Sequence, residues 1–488
     1  MVWGINSELL RRFEASVYAS RCTSSIRIPY IQLSIFVTLP TFDHMTSVEA
    51  KDHALSTLSK RGQEQASNLA RIDMELFMEA AGNLFHPTDN LEGAFPLNVA
   101  ENSVMAGRIQ AEFNKILKES SLPMWPLKYT SPAGFPETRE VMAQFMRKYF
   151  ESEAITADNL VLSAGAAASL EVFSFAIANP GDLVVIPAPA YPMYSKDLGI
   201  KSGMERWDLQ THNDISKYSS LALVTPADLD RAWAEIQAVG KVFKLLLITS
   251  PDNPTGSTYT SAQLAAIADW CIEHEVHLLV NEIYALSQID TSRPELSADY
   301  PNPTPFRSFA GIMADRQSDY LHLIYALSKD FAISGMRLGV IHTLNEAMLS
   351  GLGNINIPQM ASNLVQWLVQ ELFKRESFIA SYVEENQKQI TESYLVVVRM
   401  LRRLGIPYTP SRGSLFIWVD FSAYLSAPTD QAEEDLWMQI FRDTQILFTP
   451  GTGFQHQKKG LFRIVHTAVS TEDLQIAMDR LEAYFNKR

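Results

Sequence analysis

Cysteine is scarce in this chain: Cys22 and Cys271 are the two present in 488 residues. Two cysteines supply neither a disulfide framework nor a Cys-rich zinc site, and a reducing, intracellular compartment suits them best. No metal site is expected. Nor does any run of eighteen apolar residues occur, so no membrane-spanning helix is expected. Dense basic runs are missing as well, and the formal net charge is −14. That balance sets aside nucleic acid and anionic membranes as partners of the whole chain. There are no internal repeats and no low-complexity linker.

What is there is the composition of a globular protein, 47% hydrophobic and 20% charged, on a chain long enough for a large domain and a smaller second lobe. The first 44 residues stand apart. They carry Arg11, Arg12, Arg21 and Arg27 against Glu8, Glu14 and Asp43, and an apolar stretch, Ile31–Leu39, flanked by Pro29 and Pro40. They read as a disordered or spurious extension, with Met45 as an alternative start and an organelle transit peptide as the other reading. A cytoplasmic location is expected otherwise. Residues 46–100 read as a segment joining the small domain, 101–345 as the large domain and 346–488 as the C-terminal small domain.

The centre of the chain alternates strand and helix. Lys51–Ala81 reads as helical, and Pro96–Asn102 as a short extended piece ending just past Glu101, which alone reads as an exposed or helix-start acid. The loop Lys128–Arg139 runs into a helix. Strands are expected at Asn159–Ser163, Leu183–Pro187, Leu245–Thr249, Val276–Val280 and Leu321–Tyr325, with helices such as Leu170–Ile177 and Ser261–His274 between them. Such alternation implies a mostly parallel sheet covered by helices on both faces, whose site lies at the carboxyl ends of the strands. After His342 the pattern changes to longer helices: Glu346–Leu352, then Gln359–Glu385 continuing to Leu404. Strands at Gly413–Val419 and Leu461–Val465 and a last helix, Leu474–Phe485, capped by Ser470, complete the chain.

Five strand ends carry residues suited to chemistry. Gly165, Ala166 and Ala167 form a small-residue turn from strand into helix, which offers backbone N–H groups to an anion. Tyr191 sits between prolines on a stiff loop and reads equally as core or as a ring that stacks on a flat ligand. Asn253 lies in a turn dense with proline and glycine, and Asn281 and Tyr284 follow the next strand. Lys329 ends the fifth, with Arg337 eight residues on. A lysine buried there must lose its charge or form a covalent imine, and a guanidinium fork suits a phosphate. Together they suit pyridoxal phosphate (PLP). The ordinary alternative, an exposed lysine and a surface arginine, is weakened by the convergence of the five loops.

These stretches resemble the fold-type I PLP enzymes of the class I aminotransferase and 1-aminocyclopropane-1-carboxylate (ACC) synthase family over roughly residues 65 to 488. The motifs are Lys128–Arg139, the Pro189–Pro192 loop, Asn253–Gly256, Asn281–Tyr284, Ser328–Asp330 with Gly335–Gly339, and Phe462-Arg463, in family order. Ala100-Glu101-Asn102 leans toward the ACC synthase branch. The resemblance implies an α/β fold with a mostly parallel mixed sheet flanked by helices and a smaller α/β domain. It implies that Lys329 bonds the cofactor and moves the Cα proton, and that Gly165, Ala166, Ala167, Ser328 and Arg337 hold the phosphate. Tyr191 would stack on the ring, Asn253 and Tyr284 would bond its phenolic oxygen, and Asn281 would meet its nitrogen. Arg463 would bind the substrate carboxylate, and Glu101 would lie near the substrate. Tyr129 looks like the tyrosine that reaches the phosphate of a neighbouring subunit, which implies a homodimer.

Three departures stand out. Asn281 replaces the family's aspartate, Ala326 the first serine of the usual Ser-x-Ser-Lys, and Ala167 a threonine. An aspartate keeps the pyridine nitrogen protonated; an amide donates to an unprotonated one. The ring is then a weaker electron sink, with a barrier higher by roughly 2–4 kcal/mol, on the order of 10²-fold in rate. The two alanines remove hydroxyls from the phosphate cup. Elimination of a good leaving group from Cβ drains charge as it forms and suffers less. The expected function is therefore a PLP-dependent elimination lyase, such as a C–S lyase, resembling fungal enzymes of secondary metabolite biosynthesis. Alternatives are an aminotransferase, an ACC synthase-type lyase acting on S-adenosylmethionine, and a non-catalytic protein that keeps the fold.

Overall fold

A computed structural model describes residues 55–67, 72–211, 223–301 and 304–487. The expected extension, residues 1–45, lies outside the described residues. Strands β1 to β13 form three sheets among the described residues. The largest holds β2 (Leu160–Ser163), β3 (Leu183–Ala188), β4 (Glu205–Gln210), β5 (Phe243–Thr249), β6 (His277–Asn281), β7 (Leu321–Ala326) and β8 (Gly339–Thr343), in the order β2-β8-β7-β6-β5-β3-β4.

The central strands are buried on both faces because their residues are apolar at both parities. Leu245, Leu247, Leu279 and Ile324 pack with Val172 and Phe173. Leu246, Ile248, Val280 and Leu323 belong to the other face, with Met142, Leu264 and Ile267. Continuous apolar strands of this kind need helices on both sides. From β4 through β3, β5 and β6 to β7 the strands run parallel. β8 is antiparallel to both β7 and β2, so β2 runs with the others and β8 alone against them. Turns βα and helix starts are set by local chemistry. Thr225 accepts from the Asp228 N–H with Pro226 at the first helical position, and Ser470 accepts from the Asp473 N–H.

The smaller four-stranded sheet holds β9 (Tyr408–Thr409), β10 (Phe416–Asp420), β12 (Thr449–Pro450) and β13 (Leu461–Val465), all antiparallel, in the order β12-β13-β10-β9. Its residues Ile417, Val419, Phe462 and Ile464 share a core with Val397 and Leu401 of the helix Glu376–Leu404 and Leu474 and Leu481 of the helix Thr471–Phe485. β1 (Phe95–Pro96) pairs in parallel with β11 (Ile446–Leu447).

Two helical stretches differ from expectation. Among the described residues, Lys51–Ala81 is divided, with separate helices at Lys60–Ser67 and Ile72–Ala81. The first belongs to a compact unit ending at Ala70; everything from Arg71 onward forms the other. The run from Gln359 to Leu404 is also divided. A 3₁₀ turn with Pro358 precedes the helix Asn363–Phe373, and Glu376 starts another. Arg375 leaves helical geometry between them, and its guanidinium bonds Glu112 at 2.7 Å and Glu119 at 2.8 Å. Both ion pairs tie the break to the helix Ser103–Glu119.

Candidate active site

Because every strand of the large sheet but β8 runs the same way, their carboxyl ends lie along one edge. Gly165 follows β2, Tyr191 follows β3, Asn253 follows β5, Asn281 ends β6, and Lys329 follows β7. The reversed β8 starts at that same edge, just after Arg337. One anti-parallel strand therefore returns a guanidinium to the place where the lysine leaves.

Gly165 caps the helix Ala166–Ile177 with φ 91°. A Cβ there would stand 2.5 Å from a guanidinium nitrogen of Arg337, a flexible side-chain end that can yield, so it is the backbone angle that demands glycine. The Arg337 side chain is exposed, and its Nη1 donates to the Ser334 carbonyl at 2.9 Å. Ala166 and Ala167 fill the first helical turn, where N–H groups and dipole favour an anion. Ser328 is buried in the short helix Leu327–Asp330. The Gly165–Ala167 turn thus sets backbone donors against the Arg337 guanidinium.

Lys329 is partly buried, and its Nζ donates to the Ala100 carbonyl at 2.6 Å. Burial pushes its ammonium below the ordinary lysine range, and Arg463 and Arg337 push the same way, while Glu101 opposes them. The neutral amine, the nucleophilic form, is correspondingly favoured. Behind it the Asn102 amide donates to the Lys329 carbonyl at 3.0 Å and to Asn386 Oδ1 at 2.8 Å. The Glu101 carboxylate accepts from Ser334 Oγ at 2.8 Å to each oxygen.

Further along the edge, Asn281 is buried; its Oδ1 accepts from the Ile283 N–H at 3.2 Å and its Nδ2 donates to the Tyr194 hydroxyl at 3.0 Å. Tyr194 in turn meets Thr249 Oγ1 at 2.6 Å, and burial raises its phenol so that it keeps its proton. The rings of Tyr191 and Tyr194 meet edge to face at 5.2 Å. Tyr284 packs edge-on against Phe416 at 5.3 Å. From the smaller sheet, Arg463 reaches Asn253 Oδ1 at 2.9 Å and the Asn98 carbonyl at 2.6 Å. Its guanidinium lies 4.6 Å from the Phe416 ring centre and 5.1 Å from that of Phe454.

The structure therefore draws together Lys329, Glu101, Arg337 and Gly165 at one end, with Asn253 bonded to Arg463 at the other. Tyr129 projects fully into solvent. Sequence reasoning missed Asn98 and Ala100, whose carbonyls face Arg463 and Lys329, and also Ser334, Tyr194 and Thr249. Tyr194 alone left a trace, a polar ring three residues beyond Tyr191. The residues fit PLP: a glycine cradle against a guanidinium, a helix N-terminus, and a lysine held below its usual pKa. They would hold its phosphate at Gly165–Ala167, Ser328 and Arg337, and its aldehyde at Lys329. Among the described residues there is no cluster of three metal-ligating side chains.

Residues 105–481 match the family aminotransferase class I and II. The chain is similar to 1-aminocyclopropane-1-carboxylate synthase 2 of Oryza sativa subsp. japonica, 30% identical over 417 residues and covering 82% of each chain. It is 28% identical over 422 residues to 1-aminocyclopropane-1-carboxylate synthase 8 of Arabidopsis thaliana, covering 82% of this chain and 85% of that one. Among solved structures, a double mutant of Thermus thermophilus aspartate aminotransferase superposes with a TM-score of 0.69 at 20% identity, over 87% of this chain and 99% of its own. Thermotoga maritima aspartate aminotransferase gives 0.66 at 20% identity, over 88% and 100%. At such identities the solved structures speak for the fold.

Proposed function

This chain belongs to the class I and II aminotransferase family and is a PLP-dependent enzyme; we propose that within it the chain acts as a lyase, cleaving a carbon–sulfur bond β to the α-carbon of an amino-acid-like substrate. The observation that carries this reading is the amide at Asn281, whose oxygen is taken by the Ile283 N–H. Bound PLP supplies the electron sink that makes the substrate Cα–H acidic. An amide donor leaves that sink weak, which penalises transamination more than a reaction that expels a thiolate as charge develops.

The protein's own residues divide the remaining work. Arg463 binds the α-carboxylate, aimed by Asn253 and the Asn98 carbonyl and flanked by Phe416 and Phe454. Lys329 Nζ takes the Cα proton and returns it to the departing sulfur. The Ala100 carbonyl holds that amine in place when it is free. Tyr191 would stack on the cofactor ring, Asn253 and Tyr284 would bond its phenolic oxygen, and Glu101 would flank the substrate. Fully exposed Tyr129 is available to the phosphate of a second copy, which makes a homodimer the working assembly. For an S-substituted cysteine the balance is conjugate plus water giving thiol, pyruvate and ammonium.

A second reading is supported by the relatives named for 1-aminocyclopropane-1-carboxylate synthesis: C–S cleavage of S-adenosylmethionine with ring closure. Products separate the two. Incubation of the PLP-loaded protein with cysteine S-conjugates should release thiol and pyruvate without any keto-acid partner. Methylthioadenosine and a cyclic amino acid from S-adenosylmethionine would establish the second reading instead. Keto-acid-dependent amine transfer without thiol would make the protein an aminotransferase.

A further inference from the structure

We propose that Tyr194, tethered by Thr249, is a positioning residue that fixes the Asn281 amide with its nitrogen toward the cofactor ring, and so keeps the ring nitrogen unprotonated. The inference rests on the PLP reading of the site and adds to it a residue outside the family motifs.

The amide's orientation follows from a donor that cannot reverse. A backbone N–H only donates, so the Asn281 atom 3.2 Å from Ile283 N is the oxygen. Nδ2 then faces the other way and gives one hydrogen to the Tyr194 hydroxyl at 3.0 Å. Having accepted there, the phenol has its single hydrogen free for Thr249 Oγ1 at 2.6 Å. The chain of donors runs in one direction, from amide to phenol to threonine.

Thr249 and Asn281 are register partners at the ends of β5 and β6, so the tether's far end moves with the strand that carries the amide. Tyr194 is buried, 3% exposed, and no solvent stands ready to replace its hydroxyl. Its ring edge also meets Tyr191 at 5.2 Å and 86°. One side chain thereby sets both the ring-stacking tyrosine and the amide of the ring nitrogen. The second Nδ2 hydrogen is engaged by neither of these bonds. Set against a protonated ring nitrogen it would place donor against donor; set against an unprotonated one it makes a hydrogen bond.

The two anchors act together. The Ile283 contact is long, and without the phenol the amide loses the bond that holds its nitrogen outward. It can then turn its oxygen to the ring and accept from a protonated nitrogen. A tyrosine that merely fills space has no such consequence.

The test loads the full-length protein with PLP carrying ¹⁵N in the ring and reads the ¹⁵N chemical shift at neutral pH, with no turnover required. Wild type should show the shift of an unprotonated pyridine, and Asn281→Asp that of a pyridinium. Tyr194→Phe should move toward the pyridinium position, its protonated-to-unprotonated ratio rising on the order of tenfold for one lost hydrogen bond. Thr249→Val, nearly isosteric, should move the same way by less and covers the case in which Tyr194→Phe fails to fold. A folded Tyr194→Phe or Thr249→Val protein with the wild-type shift would overturn the positioning role, and a pyridinium in wild type would overturn the assignment of the amide. Both results are independent of which bond the enzyme cleaves. Lack of any bound label would overturn this inference and the PLP reading together, whereas the wrong products in the conjugate assay would leave this one standing.

Discussion

Arg463 and Arg337 carry the same guanidinium, yet the fold holds them in opposite ways. Arg463 is 5% exposed, gripped by Asn253 and the Asn98 carbonyl and sandwiched between two phenylalanine rings. Arg337 is exposed, sits at φ 56° after a 3₁₀ turn, and bonds the carbonyl of a residue in that same turn. One fork is aimed before any ligand arrives; the other lies exposed against the Gly165 turn. On the proposed reading, selectivity for the substrate carboxylate is built into the protein, while grip on the cofactor depends on the anion it receives. A pre-aimed buried donor loses little freedom on binding, and an exposed one loses more.

The contrast breaks hardest at Arg463. Arg463→Lys keeps the charge but not the fork, and kcat/KM should fall by about 10²–10³-fold, mostly through KM, with cofactor retention unchanged. A variant that lost PLP instead would put Arg463 at the wrong end of the site. At the open cup, Arg337→Gln should weaken PLP binding by about 10–10²-fold in equilibrium dialysis, with the substrate KM of the saturated enzyme unaltered. Equal losses in both constants would erase the distinction between the two arginines.

Lys329 stands between them and reports on both. Its pKa is lowered from 10.5 by burial first, with both arginines adding to the effect. The neutral amine that reacts with PLP therefore grows with pH, about tenfold per unit, and saturates below pH 10.5 rather than at it. Removing Arg337 takes away a lowering cause, so the plateau in cofactor uptake rate should move to higher pH. Glu101→Gln takes away the raising one, and the plateau should move to lower pH. Stopped-flow absorbance measures both, and a shift of opposite sign would contradict the electrostatic picture. The smallest effect expected is repair of the cup: Ala326→Ser should tighten PLP binding by about 3–10-fold, the worth of one hydrogen bond. A looser complex would mean that the position no longer faces the phosphate.

Much of this fold is legible in the sequence. Buried parallel strands read as apolar runs, and each ends in a loop whose residues announce themselves: Gly165, Tyr191, Asn253, Asn281, Lys329. Contacts made by backbone carbonyls left no trace, since nothing in the identity of Ala100 or Asn98 says that its oxygen meets a lysine or an arginine. Pairings between distant residues were equally silent. Glu101 and Ser334 lie 233 residues apart, and Asn281 and Tyr194 87 apart. The helix break at Arg375 escaped as well, and the Glu112 that its side chain meets there is 263 residues away.

The proposed reaction turns on Asn281, and the most direct measurement follows thiol release and amine transfer to a keto acid in the same reaction, for wild type and Asn281→Asp. Wild type is expected to release thiol with little amine transfer. The aspartate should speed elimination and raise amine transfer more, by on the order of 10²-fold, as the ring becomes a full electron sink. Elimination no faster in Asn281→Asp, or a wild-type enzyme that transfers amine readily and releases no thiol, would contradict the reading of this site as a lyase built around an amide.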